Sequence, residues 1–157
     1  MSNDILAEVD PSGPRRWLAV AMLLILGGLL LYIAFALPPA VFGWQLFLVA
    51  SGVFSLWFAQ RLQSATTKKL YLTEDALQDS DGAILARVDD IVGVDRGMLA
   101  IKPSNGFMLK LRNPAPRAWH PGLWWRAGRR LAVGGVTPGR QTRPMADIIS
   151  LMIARRS

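Results

Sequence analysis

The sequence predicts a membrane α-hairpin plus an α+β cytoplasmic domain, an antiparallel, strand-rich meander followed by a C-terminal amphipathic helix. Three observations predict it. No charged residue occurs from Trp17 to Gln60. Short alternating segments with hairpin turn residues follow. At the end, Met145, Ile148, Ile149, Met152 and Ile153 recur at the spacing of one helix face.

The uncharged run is broken by Pro38-Pro39, which cannot continue a helix. Two apolar pieces remain, 17–37 and 41–59, each close to the roughly 20 residues that cross the hydrocarbon core. The link at 38–40 is too short for anything but an antiparallel hairpin. Two buried helices of a soluble protein are the alternative, but the rest of so short a chain offers little to cover them. A signal peptide is another, since Arg15-Arg16 precede the run and Ala34-Phe35-Ala36 resembles a cleavage site. The run exceeds the roughly 7–15 residues of a signal, the tail before it holds Asp4, Glu8 and Asp10, and a second span follows at once. An uncleaved hairpin is the expectation.

Orientation follows from the cations. Arg15 and Arg16 flank the first span, and Arg61, Lys68 and Lys69 follow the second, while the link between the spans carries no charge. The positive-inside rule places both termini in the cytoplasm, with the protein multi-pass in the membrane. Trp17, Trp57 and Trp44 suit the two interfaces. No ionisable Asp, Glu, Lys, Arg or His lies within the spans, so no proton or ion pathway is expected. Gly27-Gly28, and Ser51 with Ser55, are read as helix-packing positions.

The divisions are therefore a cytoplasmic tail at 1–16, a hairpin at 17–59, a polar linker at 60–67 and a domain at 68–157. In the domain, Leu70 and Leu72 alternate with polar neighbours, as do Phe107, Leu109 and Leu111. Ile84, Ala86 and Val88 form another strand, and 91–94 and 98–101 add more. Asp81-Gly82 and Asn105-Gly106 are tight-turn pairs. Pro114, Pro116 and Pro121 read as a loop over 113–122, with last strands at 123–126 and 131–133. Thr142 is the expected N-cap of the final helix, with Pro144 in its first turn and Arg155-Arg156 at its C-terminal end.

This order, together with Tyr71-Leu72-Thr73-Glu74-Asp75-Ala76-Leu77 and the helix at 145–153, resembles the bacterial PH-like domain proteins. The resemblance implies a strongly bent sheet or barrel plugged by the C-terminal helix. Eukaryotic phosphoinositide-binding PH domains carry basic residues around the first hairpin, whereas Glu74, Asp75, Asp79 and Asp81 stand here. Inositide binding does not transfer with the fold.

Composition narrows the function. The 157 residues carry a net charge of +7, with 52% apolar, 18% charged, no Cys and one His. A disulfide scaffold, a thiol nucleophile and Cys-ligated metals are excluded, and His-based constellations nearly so. The charge is uneven. From Arg61 to Ala100 there are five basic and seven acidic residues, and from Ile101 to Ser157 eleven basic and one acidic. The densest basic segment pairs rings with guanidinium groups, and the expected contact residues for anionic lipid headgroups or a protein partner are Trp119, Trp124, Trp125, Arg126, Arg129, Arg130, Arg140 and Arg143. Nucleic acid is not expected for a chain tethered to a bilayer. The glycine-rich stretch 134–140 offers backbone amides that would suit an anion nest, though a structural turn is the favoured reading. His120 has no catalytic partner, Asp89, Asp90 and Asp95 lack a calcium-loop spacing, and Ser104 and Thr137 have no activating base. No catalytic constellation, metal or cofactor is expected.

Two functional expectations stand. The first is a non-catalytic inner-membrane protein presenting its basic domain to a partner protein or anionic lipid. The alternative is an accessory subunit of a larger membrane complex, held through the hairpin. A lipid-acting enzyme is a third class, for which the sequence places no converging polar residues.

Overall fold

A computed structural model describes residues 4–11, 13–97 and 104–157. The chain forms two compact units, a hairpin over 13–64 and a sheet domain built from 1–12 together with 65–157.

The hairpin consists of α1 (Gly13–Ala36) and α2 (Phe42–Thr66). Both are long and apolar enough to cross a membrane; at 1.5 Å per residue each is about 36 Å long, against a hydrocarbon core of about 30 Å. Only 17% of either apolar window is buried, the reverse of a soluble core helix. What α1 buries is a seam of small side chains at seven-residue intervals, Val20, Gly27 and Ala34. On α2 the buried positions Gly52, Ser55, Ala59 and Leu62 follow a three–four spacing. Gly27 and Gly52 allow the closest approach. A Cβ on Gly27 would stand 3.0 Å from the Gly52 carbonyl oxygen, and one on Gly52 would stand 3.1 Å from that of Gly27. Gly28 faces open space, so only one member of the expected Gly-Gly pair packs. Ser55 satisfies its hydroxyl by donating to the Ser51 carbonyl at 2.8 Å, and Gln45 Nε2 donates to the Ala34 carbonyl at 3.1 Å. The stretch expected as a linker at 60–67 is helical through Thr66.

The sheet domain begins before the hairpin. Strand β1 (Ala7–Val9) lies antiparallel to β2 (Leu70–Leu72), with Val9 opposite Leu70 and Ala7 opposite Leu72. Strands β3 (Ala76–Asp79) and β4 (Ile84–Arg87) complete a sheet in the order β1-β2-β3-β4. A 3-10 turn at Val88–Asp90 leads to a second sheet, β5 (Ile91–Asp95), β6 (Phe107–His120) and β7 (Trp124–Val133), in that order. Helix α3 (Gly139–Ala154) follows. The strand expected at 98–101 lies outside the described residues.

Turn chemistry matches the expected pairs. Gly82 has φ +83° and Asn105 φ +57°, conformations that Gly and Asn tolerate. Asp79 is buried, and its Oδ1 accepts the N–H groups of Asp81 (3.0 Å) and Ala83 (2.9 Å), closing the β3–β4 turn. The core joins both sheets and the helix through Val9, Leu70, Leu77, Leu85, Phe107, Leu109, Leu131, Met145 and Ile149. The α3 face is the one its periodicity predicts.

Several expectations are corrected. The stretch expected as a loop at 113–122 is strand as far as His120, with 121–122 in a turn: β6 continues through Pro114 and Pro116 because they fall where the register shifts, between the paired positions Lys110, Ala115 and Ala118. A proline costs little at a bulge, where no ladder hydrogen bond is required of it. Nor are 123–126 and 131–133 two strands: 124–126 and 131–133 are the ends of the single strand β7, and Gly128 at φ +57° carries the chain between them. Thr142 is not the N-cap. Pro138 is, and Thr142 is buried inside α3, donating its hydroxyl to the Asn105 carbonyl at 2.5 Å. Pro144 stands accordingly in the second turn. Among the described residues, the sheets of four and three strands do not close into a barrel.

Lys68 and Lys69 brace this first sheet. Lys68 Nζ lies 2.7 Å from Asp81 and 3.5 Å from Asp79, and Lys69 Nζ lies 3.0 Å from Glu8 and 3.2 Å from Asp10. Hydrogen bonds to Asp81 and to Glu8 respectively are the main causes that raise the two ammonium groups above the ordinary 10.5. A group whose folded pKa is raised contributes stability that is complete below its unfolded pKa and is lost as pH rises through the folded one. Urea midpoints are therefore expected to fall above pH 10.5, and to fall less steeply in a Lys68→Gln/Lys69→Gln variant. Equal slopes in the two proteins would refute this.

Candidate functional site: the β6–β7 ribbon

The long antiparallel ribbon of β6 and β7 carries most of the basic segment, and its pleat and bulges sort the expected contact residues into different places. At the far end Trp119 stands opposite Trp125, and His120 opposite Trp124. Successive residues of a strand face opposite sides, so the two pairs part company. Trp124 turns into the core, 5% exposed, with its ring 4.7 Å from that of His120. Its indole Nε1 has no hydrogen-bond partner among the described residues. Trp119 is 51% exposed, and Trp125 is half-buried across from it. A shallow hollow of about 360 Å³ lies here, lined by Arg117, Ala118, Trp119, Trp125, Arg126 and Ala127.

Arg126 is committed to the fold. Its Nη1 donates to the Leu85 carbonyl on β4 at 2.7 Å, and its Nε donates to the Pro116 carbonyl at 2.9 Å. The guanidinium carbon also lies 5.8 Å from the centre of the Trp124 ring. A guanidinium thus bridges the two sheets at the β4 edge, where β7 makes no ladder with it. Hydrogen bonds of this charge-assisted kind are each worth about 1.5–3 kcal/mol.

Arg129 and Arg130 are exposed, and the register gives them company that their sequence position does not. Lys110 stands directly opposite Arg130. The next paired position is Ala115 opposite Gly128, so residues 111–114, with Arg112 among them, fall in the register shift across from Arg129, while Leu111 stays in the core opposite Ile91 of β5. Four cations, Lys110, Arg112, Arg129 and Arg130, therefore share one stretch of ribbon. Like charges directly opposite each other on a sheet are destabilising unless something neutralises them. None of the four makes an ion pair among the described residues. The ion pairs formed there use Lys68, Lys69, Arg96 and Arg156. Lys110 and Arg112 are the residues that sequence reasoning leaves out of the set, because only the strand register puts them beside Arg129 and Arg130.

Arg140 and Arg143 are exposed at the start of α3 and lie apart from the tryptophan pair in sequence and element. Arg143 lines a separate hollow of about 340 Å³ with Arg96, Asn105, Gly106, Phe107, Thr142 and Ala146. The anion nest is not available. The Gly134, Gly135 and Val136 N–H groups donate to the carbonyls of Leu123 (2.9 Å), Ser104 (2.9 Å) and Gly122 (2.8 Å). This segment is a structural turn that ties the strand end back to the β6–β7 bend.

The acidic residues are likewise occupied. Asp89 pairs with Arg156 at 2.6 Å, Asp90 accepts from the Asn113 side chain at 2.7 Å, and Asp95 accepts from the Gly97 N–H at 2.9 Å. Among the described residues no group of three or more His, Asp or Glu is placed to hold a metal ion.

The two tryptophan environments predict different mutational costs. Trp124→Ala is expected to destabilise the domain by about 3–5 kcal/mol, and Trp119→Ala by about 0.5 kcal/mol or less. Chemical denaturation of the two variants measures the contrast, and equal costs would contradict the assignment of Trp119 to the surface.

No family model, curated protein or solved structure matches the chain, so its function must be argued from the hairpin and the ribbon themselves.

Proposed function

We propose that this chain is a non-catalytic integral protein of the bacterial inner membrane, whose two-helix hairpin anchors a PH-like cytoplasmic domain that offers a basic face to an anionic partner. Support for the PH-like reading comes from the four-plus-three antiparallel strand order and the amphipathic C-terminal helix buried against the core. Support for the anchor comes from two helices of crossing length with largely uncovered apolar surfaces.

The observation that carries the proposal is the position of the hairpin within the domain. It is inserted between β1 and β2, which are paired neighbours in one sheet. Both ends of the hairpin enter the same folded unit, so both must emerge on one side of a bilayer. An even number of crossings meets that condition, and two helices supply it. Arg15, Arg16, Arg61, Lys68 and Lys69 at those ends favour the cytoplasmic side.

The absence of Cys makes a direct topology test simple. Ala40→Cys and Ser157→Cys variants are treated on intact cells with a maleimide that crosses the outer but not the inner membrane. Labelling of Ala40→Cys alone, with Ser157→Cys labelled only after lysis, is the expected result. Labelling of Ser157→Cys in intact cells would overturn the orientation, and labelling of neither or both would overturn the hairpin.

A further inference from the structure

We propose that the partner of the β6–β7 ribbon is the anionic leaflet of the membrane in which the chain is anchored: Lys110, Arg112, Arg129 and Arg130 meet lipid phosphates, and Trp119 with Trp125 sits among the headgroups. This rests on the anchor reading above and goes further by naming the occupant.

Four features of the ribbon select a phosphate-bearing surface. The register places Lys110 against Arg130, a repulsion that an array of anions relieves. These cations have no carboxylate partner among the described residues, where the ion pairs use Lys68, Lys69, Arg96 and Arg156. Arg supplies planar forks suited to phosphate oxygens. Exposed Trp119 and half-buried Trp125 border a shallow, open hollow and not a deep pocket, and indole rings favour the headgroup zone.

Chain reach permits the contact. Strand β1 ends at Val9 and α1 starts at Gly13, while α2 ends at Thr66 and β2 starts at Leu70. Links of this length span at most about 10–14 Å. A domain held on two such links has no need to be recruited, so its cations act on orientation. Each cation held near an anionic leaflet is worth about a fivefold shift between docked and undocked states, and docking therefore follows the lipid composition and ionic strength around the anchor. An acidic protein would meet the cations equally well but gives no reason for the exposed Trp119 indole on the same ribbon.

The test uses the full chain in nanodiscs, with a nitroxide on Ala127→Cys beside the tryptophan hollow. In discs containing one-third phosphatidylglycerol the label is expected to gain collisions with oxygen and lose them with a water-soluble nickel complex, relative to pure phosphatidylcholine discs. Raising the salt to 0.5 M, or introducing Arg129→Glu and Arg130→Glu, reverses the change, the double variant by on the order of a hundredfold in the docked ratio. Both arginines are exposed, and near-ultraviolet circular dichroism confirms that the variant is folded. Identical accessibilities in the two kinds of disc would overturn the proposal. Release by inorganic phosphate but not by chloride at equal ionic strength would also overturn it, assigning the cations to a discrete phosphate site. Failure here with outward labelling of Ala40→Cys leaves the anchor in place and turns the ribbon toward a protein. Failure of both removes the anchor as well.

Discussion

Gly106→Ala is expected to unfold the sheet domain or to cost it about 3 kcal/mol or more. Asn105 takes the left-handed conformation that starts β6, and Gly106 follows it directly beneath the end of β7. A Cβ at Gly106 would overlap the Val133 carbonyl oxygen and stand 2.8 Å from the Gly134 Cα. Both obstacles are backbone, held by the Phe107–Val133 pairing and by the hydrogen bonds of Gly134 and Gly135. Overpacking against flexible side chains costs about 1–3 kcal/mol; here nothing flexible is available to yield. A domain stabilised by about 5–15 kcal/mol loses much of its margin. Gly93→Ala on β5 is the control, because a Cβ there meets nothing within 4 Å, and its effect is expected within about 1 kcal/mol. Urea unfolding of the full chain in micelles, followed by near-ultraviolet circular dichroism, measures both. A stable, native-like Gly106→Ala protein would show that the close approach is not required.

Val9→Asp is expected to cost about 4 kcal/mol or more. Val9 is fully buried, opposite Leu70 and within the main core. An Asp there leaves a carboxyl group with no partner in an apolar interior, one of the few mechanisms that produce so large a loss. The prediction matters because Val9 precedes both apolar helices in the chain. If the tail were merely a solvated extension, the substitution would have no effect on the domain. Glu8→Gln is the matched control. Glu8 pairs with Lys69 at the surface, and an exposed pair contributes about 0–1 kcal/mol. Proteolytic resistance of the domain at increasing urea concentration separates the two variants, and equal resistance would exclude β1 from the fold.

How much of this was legible in the sequence depended on the range of the interactions involved. The two long helices follow from a run without charge, and α3 from its repeat, both local properties. The turns at Asp81-Gly82 and Asn105-Gly106 are equally local, because they depend on which residues tolerate positive φ. Strand β1 was not legible. Ala7, Glu8 and Val9 form a short, unremarkable segment in a charged tail, and their partner arrives only after the whole hairpin has passed. The 113–122 stretch misled for a different reason. Three prolines ordinarily end a strand, yet along an irregular ribbon two of them occupy positions that need no ladder hydrogen bond.

The candidate site shows the same division. Composition and charge by themselves determined that the chain holds an apolar hairpin and a strongly basic second half of its domain. They also marked the Trp- and Arg-rich segment as distinct from the acidic first hairpin. Only the tertiary structure decided what each side chain does: Trp124 fills the core, Arg126 bridges the sheets, Trp119 and Trp125 border an open hollow, and Lys110 with Arg112 joins Arg129 and Arg130. The physical reason is that strand faces alternate with every residue and each bulge resets the alternation. Charge is a property of residues and can be counted along the chain, whereas facing and pairing are properties of a register that distant segments set together.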